Sequence, residues 1–155
     1  MNIGQSAPTF TAPDREGKHN SLEDFQGRWL VLYFYPKDNT PGCTTEAIEF
    51  TAKLPEFLAL DAQVVGISPD SIASHGKFID KQKLAIMLLS DPEHQIAENY
   101  GVWQLKKFMG MEYMGFVRST FAIDPSGKIV KIWSNVRVKN HVDTVLQELK
   151  LQVDR

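Results

Sequence analysis

Hydrophobic positions along this chain fall into stretches that alternate between strand-like and helix-like spacing. Leu30 to Tyr35 is a continuous run of branched and aromatic residues and reads as a buried strand. Pro36 stops it, and Asp38, Asn39, Pro41 and Gly42 are turn formers. Beyond Gly42, the apolar residues Ala47, Phe50, Leu54 and Phe57 recur at three- and four-residue steps, the period of an amphipathic helix. Pro55 is predicted to kink or end that helix near Leu54. Gln63 to Ser68 repeats the strand pattern and is closed by Pro69-Asp70, with a helix from Ser71 to about Lys83 after it. Ile86 to Leu89 is a third apolar run, closed by Asp91-Pro92, and His94 to Tyr100 reads as a short helix ended by Gly101.

The ends of the chain have their own patterns. Pro8 to Asn20 suggests a hairpin turning at Asp14 to Gly17, and Ser21 to Phe25 one helical turn with Ser21 as cap and Asp24 three residues on. Val117–Ile123 and Lys128–Ser134 flank Asp124-Pro-Ser-Gly127, which is hairpin turn chemistry. Asn140 is placed to cap a last helix whose Val142, Val145, Leu146 and Leu149 form one face. Strands alternating with helices, then a hairpin, then a helix indicate an α/β fold with a central mixed sheet flanked by helices and preceded by an N-terminal hairpin. No repeat, linker or low-complexity tract divides residues 1–155, so one domain is expected.

Composition narrows the function classes. A chain of 155 residues is long enough to bury roughly two-thirds of its unfolded surface without disulfides or metals. The formal charge of −2 offers no broad field for nucleic acid, and Arg137-Val-Lys139, the nearest basic cluster, reads as a solvated turn. No window is apolar enough to span a bilayer, and the N-terminus lacks the basic-then-apolar pattern of a secretory signal. The four histidines are scattered without metal-ligand spacing, so neither a metal nor a cofactor is expected. The single cysteine excludes an intramolecular disulfide framework and points to a reducing compartment, with the cytoplasm as the expected location.

That cysteine, Cys43, falls in the first turn of the helix entered from the Leu30–Tyr35 strand. The first N–H groups of a helix have no internal partners, and the helix dipole places partial positive charge there. Both stabilise a thiolate, and cysteines so placed are reactive nucleophiles. Thiolate formation alone accelerates little. Lowering a thiol pKa from about 8.5 to about 6 raises the thiolate fraction roughly 30-fold, but lost nucleophilicity takes back roughly 13-fold. A useful site must therefore also hold its substrate and stabilise the departing charge.

Pro36, Thr40 and Cys43 fit the pattern P-x-x-x-T-x-x-C, and the chain thereby resembles the peroxiredoxins, thiol peroxidases on a thioredoxin-like fold. Glu46 and Ala47 extend the likeness toward the Q-type subgroup, the bacterioferritin comigratory proteins. Ser90-Asp-Pro-Glu-His, Tyr100-Gly-Val-Trp103, Tyr113-Met-Gly115 and the stretch from Arg118 to Lys128 are similar to that subgroup in the same order. The resemblance implies reduction of hydrogen peroxide and alkyl hydroperoxides through a sulfenic acid on Cys43. It gives Thr40 the job of hydrogen-bonding the peroxide and either the thiolate or the second oxygen. It places the Arg118 guanidinium beside the thiolate, has Pro36 shield the pocket, and leaves Glu46 to orient Arg118 or nearby backbone. Many relatives carry a resolving cysteine five residues on or in the following helix. Here that first position is Ile48, and Ser71 to Lys83 contains no cysteine. An external thiol, namely thioredoxin, glutaredoxin or glutathione, would then recycle the enzyme, working as a monomer or weak homodimer.

Other classes meet specific obstacles. A dithiol oxidoreductase needs C-x-x-C, but residue 46 is glutamate; a cysteine phosphatase needs an arginine where Glu49 stands. A cysteine hydrolase needs a histidine base, and nothing around His75 or His141 marks either as one. The alternative of another kind is a thioredoxin-fold binding or holdase-like protein without peroxide turnover. Trp103 to Phe116, rich in Met and aromatic residues, is expected to be loop packing, or else a rim for alkyl hydroperoxides or a reductase.

Overall fold

The strand β3 (Trp29–Phe34) lies at the centre of a five-stranded sheet in the computed structural model, which describes residues 1–154. Its parallel neighbour is β4 (Ala62–Ser68), which in turn pairs in parallel with β5 (Met87–Ser90). On its other side runs β8 (Ser119–Ile123), antiparallel, followed by β9 (Ile129–Trp133) at the edge. The order β5-β4-β3-β8-β9 is the mixed sheet expected from the sequence.

Period-two geometry explains why β3 is apolar throughout. Leu30, Leu32 and Phe34 enter one core with Phe10, Leu22, Phe25, Tyr100 and Phe121. Val31, Tyr33 and Tyr35 enter the other with Ala47, Phe50, Phe57, Phe78, Val145 and Leu149. A strand covered on both faces needs no polar side. The first face is closed by the N-terminal hairpin, β1 (Thr11–Pro13) with β2 (His19–Ser21), the 3-10 turn Leu22–Phe25, and the short helix α3 (Gln95–Asn99). The second is covered by α1 (Pro41–Ala59), α2 (Ile72–Gln82) and α4 (His141–Val153). No helix among the described residues is long and apolar enough to cross a membrane.

Three expectations need correction. Pro55 neither ends nor breaks α1, which continues to Ala59. Its ring faces solvent, and the buried Phe50 and Phe57 anchor the helix on either side. Burying such aromatics, at about 1.5–3 kcal/mol each, offsets a helix-interior proline's cost of about 3 kcal/mol. Asn140 stands at the N-cap of α4 but its side chain makes no capping bond; its carbonyl accepts from the Thr144 amide and hydroxyl instead. Finally, Trp103 to Phe116 is not an irregular loop. It forms β6 (Trp103–Phe108) and β7 (Met111–Phe116), a hairpin turning at Met109 and Gly110, both with positive φ. Leu105, Phe108, Met111, Tyr113 and Met114 are exposed on it, so no in–out alternation marked the strands.

Candidate active site

The segment between β3 and α1 delivers Cys43. Thr40 is the N-cap with extended backbone, Pro41 opens the helix, and Cys43 is the third helical residue. Proline suits that opening position because its missing N–H would have had no partner. Cys43 is only 1% exposed, with its sulfur turned into the core beneath the sheet's second face.

Arg118 reaches it from the neighbouring strand, at the same end of the sheet. It precedes β8, whose Ser119 is paired with Phe34 at the end of β3, so antiparallel register carries the arginine to the mouth of the cysteine loop. Its Nη2 donates to Cys43 Sγ at 3.2 Å and its Nη1 to Glu46 Oε1 at 2.6 Å. One guanidinium fork thus bridges thiol and carboxylate. Gly42 makes room for it: a Cβ there would lie 3.2 Å from Arg118 Nη2. Burial works against the charge on Arg118, but the negative charges of Glu46 and Cys43 outweigh it, and the guanidinium holds its proton more firmly than usual.

Glu46 is fully buried, and its second oxygen, Oε2, has no hydrogen-bond partner. Burial lifts its carboxyl to about 7, with Arg118 offsetting only part of that rise. Tyr33 is a residue that sequence reasoning assigned to the core alone. Its ring stacks on Phe50 at 4.7 Å, and its buried hydroxyl is also unpartnered. Burial, then the charges of Glu46 and Cys43, push that hydroxyl well above an ordinary phenol. It is therefore a neutral wall of the site.

The remaining expected residues fall close by in the chain. Thr40, half-buried, donates its hydroxyl proton to the Lys37 carbonyl at 2.9 Å, which leaves its lone pairs to accept. Pro36 is half-buried where the chain leaves β3. Beyond Arg118 lies a cavity of about 360 Å³ lined by Lys106, Val117, Arg118, Asn135 and Val136, among others. Lys106 donates to the Phe116 carbonyl at 3.0 Å, and its ammonium is lowered by burial and by the charge of Arg118. His141, against Thr120 at 2.8 Å, is pushed down to about 4 by burial and then by Arg118. It stands there as a neutral ring.

A thiol at a helix start, a guanidinium on its sulfur, and an upstream hydroxyl with free lone pairs form an arrangement suited to attack on a peroxide oxygen. Comparison with known proteins points the same way. The AhpC/TSA family model matches residues 3–132. The peroxiredoxin Bcp of Bacillus subtilis is 51% identical over 150 residues, covering 97% of this chain and 96% of that one. This chain is a peroxiredoxin of the Q-type, bacterioferritin comigratory group. Among solved structures, Xylella fastidiosa PrxQ is similar at a TM-score of 0.93 and 38% identity, covering 98% of this chain and 97% of its own. The Xanthomonas campestris bacterioferritin comigratory protein, solved as trapped intermediate and ligand complexes in alkyl peroxide reduction, reaches 0.89 at 40% identity, covering 93% and 92%. This peroxiredoxin is accordingly a thiol-dependent peroxidase on the thioredoxin-like fold, with peroxides as substrates and thiol reductants as partners.

Proposed function

We propose that this peroxiredoxin works by a one-cysteine mechanism on hydrogen peroxide and alkyl hydroperoxides. The Cys43 thiolate attacks one peroxide oxygen, the O–O bond breaks, and the leaving oxygen takes a proton and departs as water or an alcohol. Cys43 is left as a sulfenic acid. An external thiol attacks that sulfur, releasing water and forming a mixed disulfide; a second thiol opens the disulfide and restores the Cys43 thiol.

Arg118 stabilises the thiolate and the charge growing on the leaving oxygen, as a fixed cationic donor does in a buried site. Thr40 accepts a hydrogen bond from the peroxide O–H, since its own proton is directed to Lys37. Glu46 holds the second arm of the Arg118 fork. Pro36 keeps an N–H and its water away from the thiol. The observation that carries this reading is the 3.2 Å bond from Arg118 to the sulfur of the chain's single cysteine. Absence of another cysteine supports the external resolving thiol, for which thioredoxin, glutaredoxin and glutathione are all chemically competent. The free thiol also suits a reducing compartment such as the cytoplasm.

Steady-state peroxide consumption with a dithiol reductant tests the proposal. Wild-type protein is expected to consume hydrogen peroxide and an alkyl hydroperoxide, and Cys43→Ser to consume neither above background. Identical traces from the two proteins would favour a binding or holdase-like role instead.

A further inference from the structure

A buried set of hydrogen bonds ties together the loops that leave the C-terminal ends of β3, β4 and β5, and none of its members belongs to the site described above. Asp38, after β3, is 4% exposed and His75, on α2, is fully buried. Asp38 accepts from Tyr35 Oη at 2.7 Å, from Ser74 Oγ at 2.8 Å and from His75 Nδ1 at 2.8 Å. His75 Nε2 donates to the Leu89 carbonyl at 3.0 Å, so the ring is held at both nitrogens. Burial pushes the Asp38 carboxyl up, but the bonds from His75 and Tyr35, the charge of His75 and the Ser74 hydroxyl hold it below the usual carboxylate range. Asp70, after β4, accepts from Ser68 Oγ at 2.7 Å, and its carbonyl accepts from the Oγ of Ser90, the last residue of β5.

The bond that links this network to the chemistry is on the backbone. The Asp38 N–H donates to Asp70 Oδ2 at 2.8 Å. The carbonyl of the same peptide belongs to Lys37 and accepts the Thr40 hydroxyl at 2.9 Å. A peptide group is planar, and in the trans form its N–H and C=O point in opposite directions. Asp70 therefore grips one end of a rigid plate whose other end sets the direction of the Thr40 hydroxyl. Asn39, with φ 63°, bends the chain so that Thr40 can fold back onto that carbonyl. The Asp38 side chain, held by three donors, keeps the plate from sliding.

We propose that Asp70, backed by the Asp38–His75 pair, is a positioning assembly for the Thr40 hydroxyl and so for the peroxide it receives. None of the three touches substrate. The inference rests on the peroxide-accepting role proposed for Thr40. Asp38, Asp70 and His75 also form the one grouping of three potential metal ligands among the described residues. Hydrogen bonds among these residues and their neighbours already hold the cluster, so it is read as a tie between loops.

A double-mutant cycle on the second-order rate of Cys43 oxidation tests this, with thermal melts confirming that each protein is folded. Misplacing a reacting group by about 1 Å can cost on the order of 10²-fold, so Asp70→Ala is expected to slow the peroxide step by roughly 10- to 100-fold. Asp70→Asn retains an acceptor oxygen and is expected to stay within about threefold of wild type. On a Thr40→Val background, where there is no hydroxyl to aim, Asp70→Ala is expected to add less than about twofold. Equal losses from Asp70→Ala on both backgrounds, or no loss with Thr40 present, would overturn the positioning role. If Asp70→Ala does not give a cooperative melt, His75→Gln enters the same cycle with the same two outcomes. Thr40→Val reacting at the wild-type rate would sink the Thr40 role itself and this inference with it. A slow Thr40→Val with additive Asp70→Ala sinks only the positioning.

Discussion

Replacing Glu46 by glutamine should make this enzyme more stable at alkaline pH. The carboxyl is fully buried, has one oxygen without a partner, and is lifted by burial from 4.5 to about 7. Between those two values the folded protein binds a proton that the unfolded chain releases, so folding stability falls as pH rises. The contribution is fully present below pH 4.5 and is lost as pH passes through about 7. A rise of that size corresponds to about 3 kcal/mol, at roughly 1.4 kcal/mol for each pH unit between the two values. Glutamine is neutral, like the protonated acid, and its carbonyl oxygen can still accept from Arg118 Nη1. Urea unfolding of both proteins at pH 5 and pH 8 measures the difference, and other titrating groups cancel in the comparison. Glu46→Gln should stand within about 1 kcal/mol of wild type at pH 5 and exceed it by about 3 kcal/mol at pH 8. A constant difference between the two proteins at both pH values would refute the claim that Glu46 is the buried acid titrating near neutrality.

Arg118→Ala should lower the peroxide rate constant by about 10²–10³, the usual loss on removing a donor to developing charge. Arg118→Lys should recover only part, because one ammonium cannot reproduce the fork over Cys43 and Glu46; stopped-flow rates equal to wild type would remove Arg118 from the reaction. Gly42→Ala places a Cβ 3.2 Å from Arg118 Nη2, so the same rate should fall by about tenfold with the melting temperature little changed. An unaffected rate would mean the guanidinium has room to spare. His141 is held down at about 4, so its contribution to stability is present above pH 6.5 and is lost as pH falls through 4. His141→Gln should therefore reduce the stability difference between pH 7 and pH 4 by about 3 kcal/mol in urea titrations; an undiminished difference would contradict that.

Cys43 and Thr40 were readable in the sequence because their setting is local: a strand, a turn and a helix start within one short stretch. Arg118 was readable only through family resemblance. It lies far along the chain and meets Cys43 through antiparallel pairing of β8 with β3, which residue spacing cannot encode. Glu46 carried a divided expectation, Arg118 or nearby backbone, and the structure places it on the arginine. Tyr33 was hidden within an apolar run, since nothing in its neighbours indicates an unpartnered hydroxyl. Asp38 read as a turn former and Asp70 as a strand terminator, while nothing marked His75. Those readings are locally sound, but the loops after three strands converge only once the parallel sheet has formed. Pro55 shows the opposite limit, a strong local signal overruled by buried aromatics on both sides.

The central claim is that one cysteine carries the oxidation and that nothing within the chain resolves it. Intact mass after one equivalent of hydrogen peroxide, without reductant, tests it most directly. The expected product is the monomer with a single added oxygen, which a dimedone-type reagent traps on Cys43 and which excess peroxide carries on to the sulfinic acid. A covalent dimer through Cys43 as the main product would mean that the thiol resolves against its twin, and would contradict the one-cysteine mechanism.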